Sequence, residues 1–351
     1  MAKNNTKKTK EEQLDFAALR RRLRAEGPAR VYFLYGEEDY LREAFFEEIK
    51  KLCVDGESDF NHRRLNGEGL SLTELSEAVN ALPFFAERTL VEVRQFELNR
   101  FRDSQSAELT AILSDIPDYC TLVLIPPAEH EPDGRLAAFK AVKKYGEAIN
   151  FTRQGGSTLI NWIQRRFAAL GKSISRGDAE YLAFISGSLM NRMIPEIEKI
   201  GVYARGSEVT REDIDAVAHH LPEARVFEMT EKLASRDFDG AVGILSELMQ
   251  MKDEPPVKTL AVVGKQMRNL YAARIALDRK LGKSYVSETC GIRFDFVAER
   301  LLNSSRGFTE AQLSHAVRLC AETDFRMKTG GGDNEELLCE LIMRIAAGET
   351  A

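Results

Sequence analysis

The sequence predicts an α/β domain with a mainly parallel sheet, followed by a chain that is entirely helical. Short β-branched or aromatic runs alternate with amphipathic segments from Val31 to Phe151, which is typical of parallel strands joined by crossover helices. After Phe151 nearly every window has the 3.6-residue period of helices. The chain has 351 residues, enough for two or three domains, since domains commonly span about 100–200 residues.

Five segments of the first domain have the composition of strands. They are Val31–Tyr35, Arg63–Asn66, Thr89–Val93, Thr121–Ile125 and Ala148–Phe151. Helical patterns lie between them, as at Tyr40–Leu52, where apolar residues recur every three or four positions. This part of the chain therefore alternates between strand and helix.

The pattern of the remaining residues predicts helices and two domain boundaries. Gly155-Gly156-Ser157 predicts a linker, with Ser157 or Thr158 as the N-cap of the next helix, and His219–Glu223 predicts a second boundary. The helices predicted after that first one are 178–186, 189–203, 211–218, 227–234, 238–250, 255–280, 309–327 and 335–346. The order of the predicted domains is typical of an AAA+ chain with a C-terminal oligomerisation domain.

Composition and charge exclude several classes of protein. The chain is 44% hydrophobic and 30% charged, as in soluble globular proteins, and its apolar runs are too short to span a bilayer. The basic, polar start lacks the apolar stretch of a signal peptide. The net charge of -6 argues against a protein whose whole surface binds nucleic acid. Five scattered cysteines favour reduced thiols in a cytoplasm over a zinc site.

The turn after the first predicted strand lacks the residues that bind a polyphosphate. An ATP-hydrolysing AAA+ domain needs GxxxxGK[ST] at this point, whereas this turn is Gly36, Glu37, Glu38 and Asp39, with three carboxylates and no lysine. The fourth strand runs into Pro126-Pro127, where a magnesium-binding acidic pair would be required. The sequence thus predicts a degenerate phosphate loop, no nucleotide, no metal, no cofactor and no intrinsic catalysis.

Two Gly-Lys-Ser triplets elsewhere do not restore a phosphate loop. Gly171-Lys172-Ser173 and Gly282-Lys283-Ser284 have Arg166 and Leu277 where the first glycine would stand, and both lie where helices are predicted. The histidines form no HExxH or Ser-His-Asp motif. These observations do not favour an enzyme.

The segment Leu82-Pro83-Phe84-Phe85 is a candidate binding site. It lies between a helix predicted at Leu72–Ala81 and the strand at Thr89, and Pro83 ends the helix just before the two rings. Adjacent residues of one regular element point in different directions, so one ring is expected to be exposed as an anchor for a partner. The alternative is that both rings lie under the edge of the sheet as core.

Six segments, in this order, carry a resemblance to a known family. They are VYFLYGEEDYLRE (31–43), ALPFFAERTLVEV (81–93), WI (162–163), PEIEKIGVYA (195–204), QMRNL (266–270) and ETDFRMKTG (322–330). Over about residues 28–348 the chain resembles the delta subunits of bacterial DNA polymerase III clamp loaders. No single segment is as specific as a metal-ligand cluster, so the resemblance depends on their order.

The resemblance implies an architecture. We expect a disordered N-terminal tail at 1–20, an AAA+-like α/β domain without a nucleotide site at 21–152, a small helical lid domain at 153–220 and a helical collar domain for oligomerisation at 221–351.

The resemblance also implies a function. A clamp-loader delta subunit binds the beta sliding clamp, with Leu82, Phe84 and Phe85 inserting into it, and helps open it for loading onto primed DNA without hydrolysing ATP. The implied partners are the motor (gamma/tau) subunits, the delta-prime subunit and DNA within the assembled loader. The implied location is the cytoplasm, at the replisome on the nucleoid.

Two other functions remain open on the residues alone. One is an active AAA+ ATPase with a non-standard nucleotide site, which predicts tight, magnesium-dependent ATP binding. The other is a DNA-binding scaffold unrelated to clamps, which predicts DNA binding with a steep dependence on salt. The acidic charge balance disfavours the second.

Overall fold

The computed structural model describes residues 15–54, 59–128, 130–251 and 254–350. The chain divides into two compact units. The first runs to Gln154 and includes Leu189–Asn191, and the second comprises Gly155–Ser188 and the chain from Arg192 onward.

The first unit contains a five-stranded parallel sheet in the order β2-β3-β4-β1-β5. Its strands are β1 (Val31–Tyr35), β2 (His62–Asn66), β3 (Thr89–Arg94), β4 (Cys120–Ile125) and β5 (Glu147–Asn150). The bounds agree with the five predicted strands to within one residue. Every residue of β4 is buried, because helices cover both faces of a parallel sheet and each face needs apolar side chains.

Five α-helices belong to the same unit. They are α1 (Phe16–Glu26), α2 (Asp39–Cys53), α3 (Leu72–Val79), α4 (Asp103–Ser114) and α5 (Ala137–Tyr145). Two short 3-10 turns lie at Asp59–Asn61 and Leu98–Arg100. The core between sheet and helices is built from fully buried side chains such as Phe33, Leu75 and Leu122. Together they give the mixed α/β architecture with a parallel sheet that the alternating pattern predicted.

Helix α1 corrects part of the prediction for the N-terminus. Residues 16–20, assigned to a disordered tail, lie in this helix, which Asp15 caps by accepting a hydrogen bond from the N–H of Ala18 at 2.9 Å. The helix forms because Leu23 is buried to 3% exposure and thereby anchors the segment. Residues 1–14, the rest of the predicted tail, lie outside the described residues.

The second unit is mainly helical. Its helices are α6 (Gly156–Ala169), α7 (Arg176–Ser186), α8 (Met190–Tyr203), whose first two residues belong to the first unit, α9 (Arg211–Val217), α10 (Pro222–Ala234), α11 (Phe238–Gln250), α12 (Pro256–Asp278), α13 (Gly282–Cys290), α14 (Asp295–Ser305), α15 (Glu310–Thr329) and α16 (Asn334–Ala347). The N-cap of α6 is Gly155, without a side-chain hydrogen bond, rather than Ser157 or Thr158.

The expectation that the chain is entirely helical after Phe151 is wrong at two places. Ser173–Ile174 (β6) pairs in parallel with Glu208–Val209 (β7). Ile174 and Val209 are buried at 6% and 1% exposure, so the ladder is stabilised by their burial. Two residues are too few to give a period-2 pattern, and the sequence therefore gave no signal for these strands.

The apolar stripe of α12 packs within its own unit. Leu260, Val263, Met267 and Leu270 are each no more than 2% exposed, and α12 contacts α14 and α15. In the part of the chain that the structure describes, no helix combines the length and apolarity needed to span a membrane.

Candidate functional site

The loop between α3 and β3 exposes three large apolar side chains. Leu82, Phe84 and Phe85 are 78%, 58% and 96% exposed, and the loop has no regular secondary structure. The two rings therefore lie outside the core. This excludes the alternative that both rings pack under the edge of the sheet. Exposing this much apolar surface is unfavourable in water, and clusters of this kind mark sites where a partner binds.

A fourth side chain, from a different element, completes the cluster. Phe60, in the 3-10 turn before β2, is 76% exposed, and its ring centroid lies 5.7 Å from that of Phe84. The rings of Phe84 and Phe85 are 4.6 Å apart and nearly perpendicular, a favourable edge-to-face arrangement. Leu82, Phe60, Phe84 and Phe85 together are called the apolar surface below.

The sequence alone does not identify Phe60 as part of this surface. The residue is a single aromatic in the polar stretch Gly56–His62, and it stands 24 positions before Phe84. Only the pairing of β2 beside β3 brings the two segments together. The available signal was an unexplained aromatic in a polar connection, which by itself does not indicate a partner.

An open groove lies beside the rings. It has a volume of about 480 Å³ and runs between the C-terminal end of α2, at Leu52–Val54, and the segment 84–88. Phe60, Phe84 and Phe85 line it, and Glu87 and Arg88 add charge at one side. The apolar surface thus combines projecting rings with a neighbouring depression.

Three sets of hydrogen bonds hold the loop. The hydroxyl of Tyr119 donates to the carbonyl of Asn80 at 3.1 Å, and the N–H of Thr89 donates to the carbonyl of Tyr119 at 2.7 Å. Between these two ends, the side chain of Asn61 makes two hydrogen bonds with the main chain of Phe84. The loop is therefore attached at its start, middle and end.

A buried charge cluster lies next to Asn61. Nε2 of His62 and Oε2 of Glu92 are 2.7 Å apart, both side chains being at most 5% exposed, and Arg94 bonds both Glu92 and Glu43. Burial opposes the charge on Glu92, but the bonds from His62 and Arg94 outweigh it and hold the pKa of Glu92 below its usual range. The cluster fixes the start of β2.

The turn after β1 is packed against the main chain of Phe151, the residue that follows β5. At Gly36, where φ is +113°, a Cβ atom would lie 2.6 Å from the carbonyl oxygen of Phe151, so only glycine fits. The N–H of Glu38 donates to that same carbonyl at 2.9 Å. A phosphate loop needs such N–H groups for its ligand, and here this one already has a protein acceptor.

Acidic side chains occupy the rest of this turn. Glu38 is fully buried, and its carboxylate accepts a hydrogen bond from the N–H of Met190 at 3.1 Å; Met190 belongs to the same unit. Burial raises the pKa of Glu38 to about 7. Glu37 forms an ion pair with Arg153, and Asp39 one with Arg42. The turn thus presents carboxylates where a polyphosphate would need cations.

The two lysines of the Gly-Lys-Ser triplets have protein partners. Nζ of Lys172 donates to the carbonyls of Ala204 and Gly206 at 2.6 and 2.7 Å. Lys283 forms ion pairs with Asp295 and Glu299, each at 3.0 Å. Both lysines serve local structure.

Two family models match most of the chain. DNA polymerase III delta subunit matches residues 32–152, and the C-terminal domain of the DNA polymerase III delta subunit matches residues 223–345. Together they cover more than half of the 351 residues. The chain belongs to the DNA polymerase III delta-subunit family. The resemblance inferred from the six sequence segments is confirmed.

Relatives in the delta-subunit family align over nearly the full chain. The DNA polymerase III subunit delta of Bacillus subtilis is 25% identical over 322 residues, covering 89% of this chain and 91% of the relative. A probable DNA polymerase III subunit delta of Aquifex aeolicus is 20% identical, covering 89% and 90%.

A solved member of the family shares the fold. The DNA clamp loader delta protein of Bacillus subtilis superposes with a TM-score of 0.55 at 22% identity, covering 95% of this chain and 99% of that one. The fold class predicted from the sequence is therefore confirmed. The domain boundaries and the clamp-binding role of Leu82, Phe84 and Phe85 stay predictions.

Proposed function

We propose that this chain is the delta subunit of a bacterial clamp loader, which binds the beta sliding clamp through its apolar surface and helps open it for loading onto primed DNA. The observation that carries the proposal is the exposure of Leu82, Phe84 and Phe85 on an anchored loop. Burying each ring in a partner contributes about 1.5–3 kcal/mol. Membership of the delta-subunit family supports the choice of the clamp as that partner.

Clamp opening by this chain follows from differential binding. A protein that hydrolyses nothing shifts the balance between closed and open rings only by binding the open form more tightly. We infer that the exposed rings enter the clamp near a subunit interface and favour its open form. The motor (gamma/tau) subunits, with delta-prime, supply ATP-driven control of when the apolar surface is available.

The chain has no ATPase role in this proposal. The acidic turn at Gly36–Asp39, with the buried Glu38 and the occupied N–H group, supports that conclusion over the alternative of a non-standard ATPase. DNA meets this chain within the assembled loader, and the net charge of -6 disfavours strong DNA binding by the chain alone. The corresponding location is the cytoplasm, at the replisome on the nucleoid.

Replacing both loop rings tests the clamp-binding site. F84A/F85A is expected to weaken binding of the clamp encoded by the same genome by more than about 100-fold, because two rings lose their burial. Surface plasmon resonance on the full chain measures this change. Assembly with the motor and delta-prime subunits should be unchanged, as measured by size-exclusion chromatography.

Phe325→Ala is the matched control. This phenylalanine is 68% exposed on α15 of the second unit, so its loss removes a comparable ring without touching the loop. The control should bind the clamp as tightly as the wild type. Wild-type clamp affinity in F84A/F85A would remove the site from the proposal.

A further inference from the structure

The main chain at the tip of the apolar surface has an unfavourable conformation. Phe85 has φ of +50°, in the left-handed region where a side chain with a Cβ atom costs about 1–2 kcal/mol. The same residue is 96% exposed, so no burial of its own ring compensates for this conformation. Other contacts must hold the segment in place.

Asn61 makes the contacts that hold the segment around Phe85 in place. Its amide Nδ2 donates to the carbonyl of Phe84 at 2.9 Å, and its Oδ1 accepts from the N–H of Phe84 at 2.7 Å. One side chain thus satisfies both main-chain groups of the residue just before the strained one. Asn61 is itself 4% exposed, and hydrogen bonds shielded from water resist opening.

Asn61 is attached to a rigid part of the fold. The next residue, His62, begins β2 and is held by Glu92 in the buried charge cluster. The preceding residue, Phe60, contributes its ring to the apolar surface. The three consecutive residues therefore connect the sheet, the loop and the exposed rings.

We propose that Asn61 is a positioning residue, which holds Phe84 and Phe85 outward in their binding conformation before the partner arrives. This inference rests on the proposed function of the apolar surface. Apparent affinity is the intrinsic affinity multiplied by the fraction of molecules in the competent conformation, so ordering the loop in advance strengthens binding. Without the two hydrogen bonds, the loop leaves the strained conformation and that fraction falls.

Asn61→Ala tests the proposal in the full chain. Loss of two partly buried hydrogen bonds is expected to weaken clamp binding about tenfold. A purely structural role would not change the loop selectively, so amide hydrogen exchange is the second measurement. Exchange in peptides covering residues 82–86 should accelerate at least tenfold, while exchange in β1 and β4 stays as in the wild type.

Asn99→Ala is the matched control. The side chain of Asn99 also bridges two main-chain groups, donating to the carbonyl of Glu131 and accepting from the N–H of Asp133, each at 3.0 Å. It holds a different loop, so this variant should bind the clamp with wild-type affinity. If Asn61→Ala fails to fold, Asn61→Asp, which keeps the acceptor but not the donor, should still bind more weakly than the wild type.

The outcomes separate this proposal from the one it rests on. Wild-type affinity and unchanged exchange at 82–86 in the Asn61 variant, with binding abolished in F84A/F85A, would overturn the positioning role alone. Wild-type affinity in F84A/F85A would overturn the site itself. Faster exchange throughout the sheet in Asn61→Ala would reassign Asn61 to general stability and also overturn the positioning role.

Discussion

Glu38 shows how a buried carboxyl group can make a structural contact in the turn after β1. Its carboxyl group lies fully buried in the turn after β1, bonded to the N–H of Met190. Burial without a neighbouring cation close enough to compensate raises the pKa of Glu38 to about 7. The residue is therefore a source of pH-dependent stability.

The sign of this dependence follows from linkage. The folded pKa is about 7 and the reference value is 4.5, so the folded state binds the proton more tightly. The stabilising contribution is fully present below about pH 4.5 and is lost as pH rises through about 7. Glu38→Gln, which does not titrate, should be more stable than the wild type at pH 8, by about 3 kcal/mol, and should lose most of that advantage at pH 5.

Thermal unfolding followed by circular dichroism at the two pH values measures this effect. Glu37→Gln is the control, because Glu37 is exposed and forms a surface ion pair with Arg153. Such pairs contribute about 0–1 kcal/mol, so this variant should stay close to the wild type at both pH values. An equal stability difference for Glu38→Gln at pH 5 and pH 8 would contradict the buried-acid explanation.

At the scale of elements, the turn between β1 and α2 keeps the position of a phosphate loop without its chemistry. A phosphate loop leaves its N–H groups free for the ligand and adds a lysine. Here Gly36 packs against β5, the N–H of Glu38 bonds Phe151, and Arg42 donates to the carbonyl of Gly36 at 3.3 Å. The turn connects strand to helix, and these groups make contacts within the protein.

ATP is therefore expected not to stabilise the chain. A site with a Kd of about 10 μM would add about 2.7 kcal/mol at 1 mM ATP, which corresponds to a rise of several degrees in Tm. We expect a change below about 1 °C in differential scanning fluorimetry with 1 mM ATP and magnesium. Sodium sulfate at matched ionic strength is the control, and a magnesium-dependent rise of several degrees with ATP alone would favour the ATPase alternative.

At the scale of the whole molecule, the chain has two compact units. Proteins with more than one such unit often do not unfold in a single step. Trp162, the only tryptophan, is buried in α6 of the second unit. Its fluorescence reports that unit, whereas circular dichroism reports both.

Matched Leu→Ala variants in the two units should therefore shift the unfolding transitions of different spectroscopic signals. Leu75 in α3 and Leu182 in α7 are both fully buried, one in each unit, and each truncation costs about 2–5 kcal/mol. In urea, Leu75→Ala should shift the circular dichroism transition by about 1 M or more and leave the tryptophan midpoint in place. Leu182→Ala should shift the tryptophan midpoint, and equal shifts of both signals in both variants would indicate one cooperative unit.

Local patterns determined the strands and most helices of this protein. The five strands of the parallel sheet were predicted to within one residue. For β1, β3 and β4 the signal is a nearly continuous apolar run, because these strands are buried on both faces. The acidic character of the turn at 36–39 was also predicted, since it depends only on the types of four consecutive residues. The strands β6 and β7 were missed because two residues give no period. Residues 16–20 were missed although Asp15 caps their helix and Phe16, Leu19 and Leu23 recur at helical spacing.

Local sequence patterns predicted only part of the apolar surface. The sequence placed Leu82, Phe84 and Phe85 after a helix-ending proline, but it left open whether the rings are core or surface. Tertiary structure decided this by pairing β2 with β3, which brings Phe60 and Asn61 beside Phe84 across more than 20 residues of chain. Contacts between distant segments depend on the packing of the whole sheet, and no local pattern of residue types encodes them.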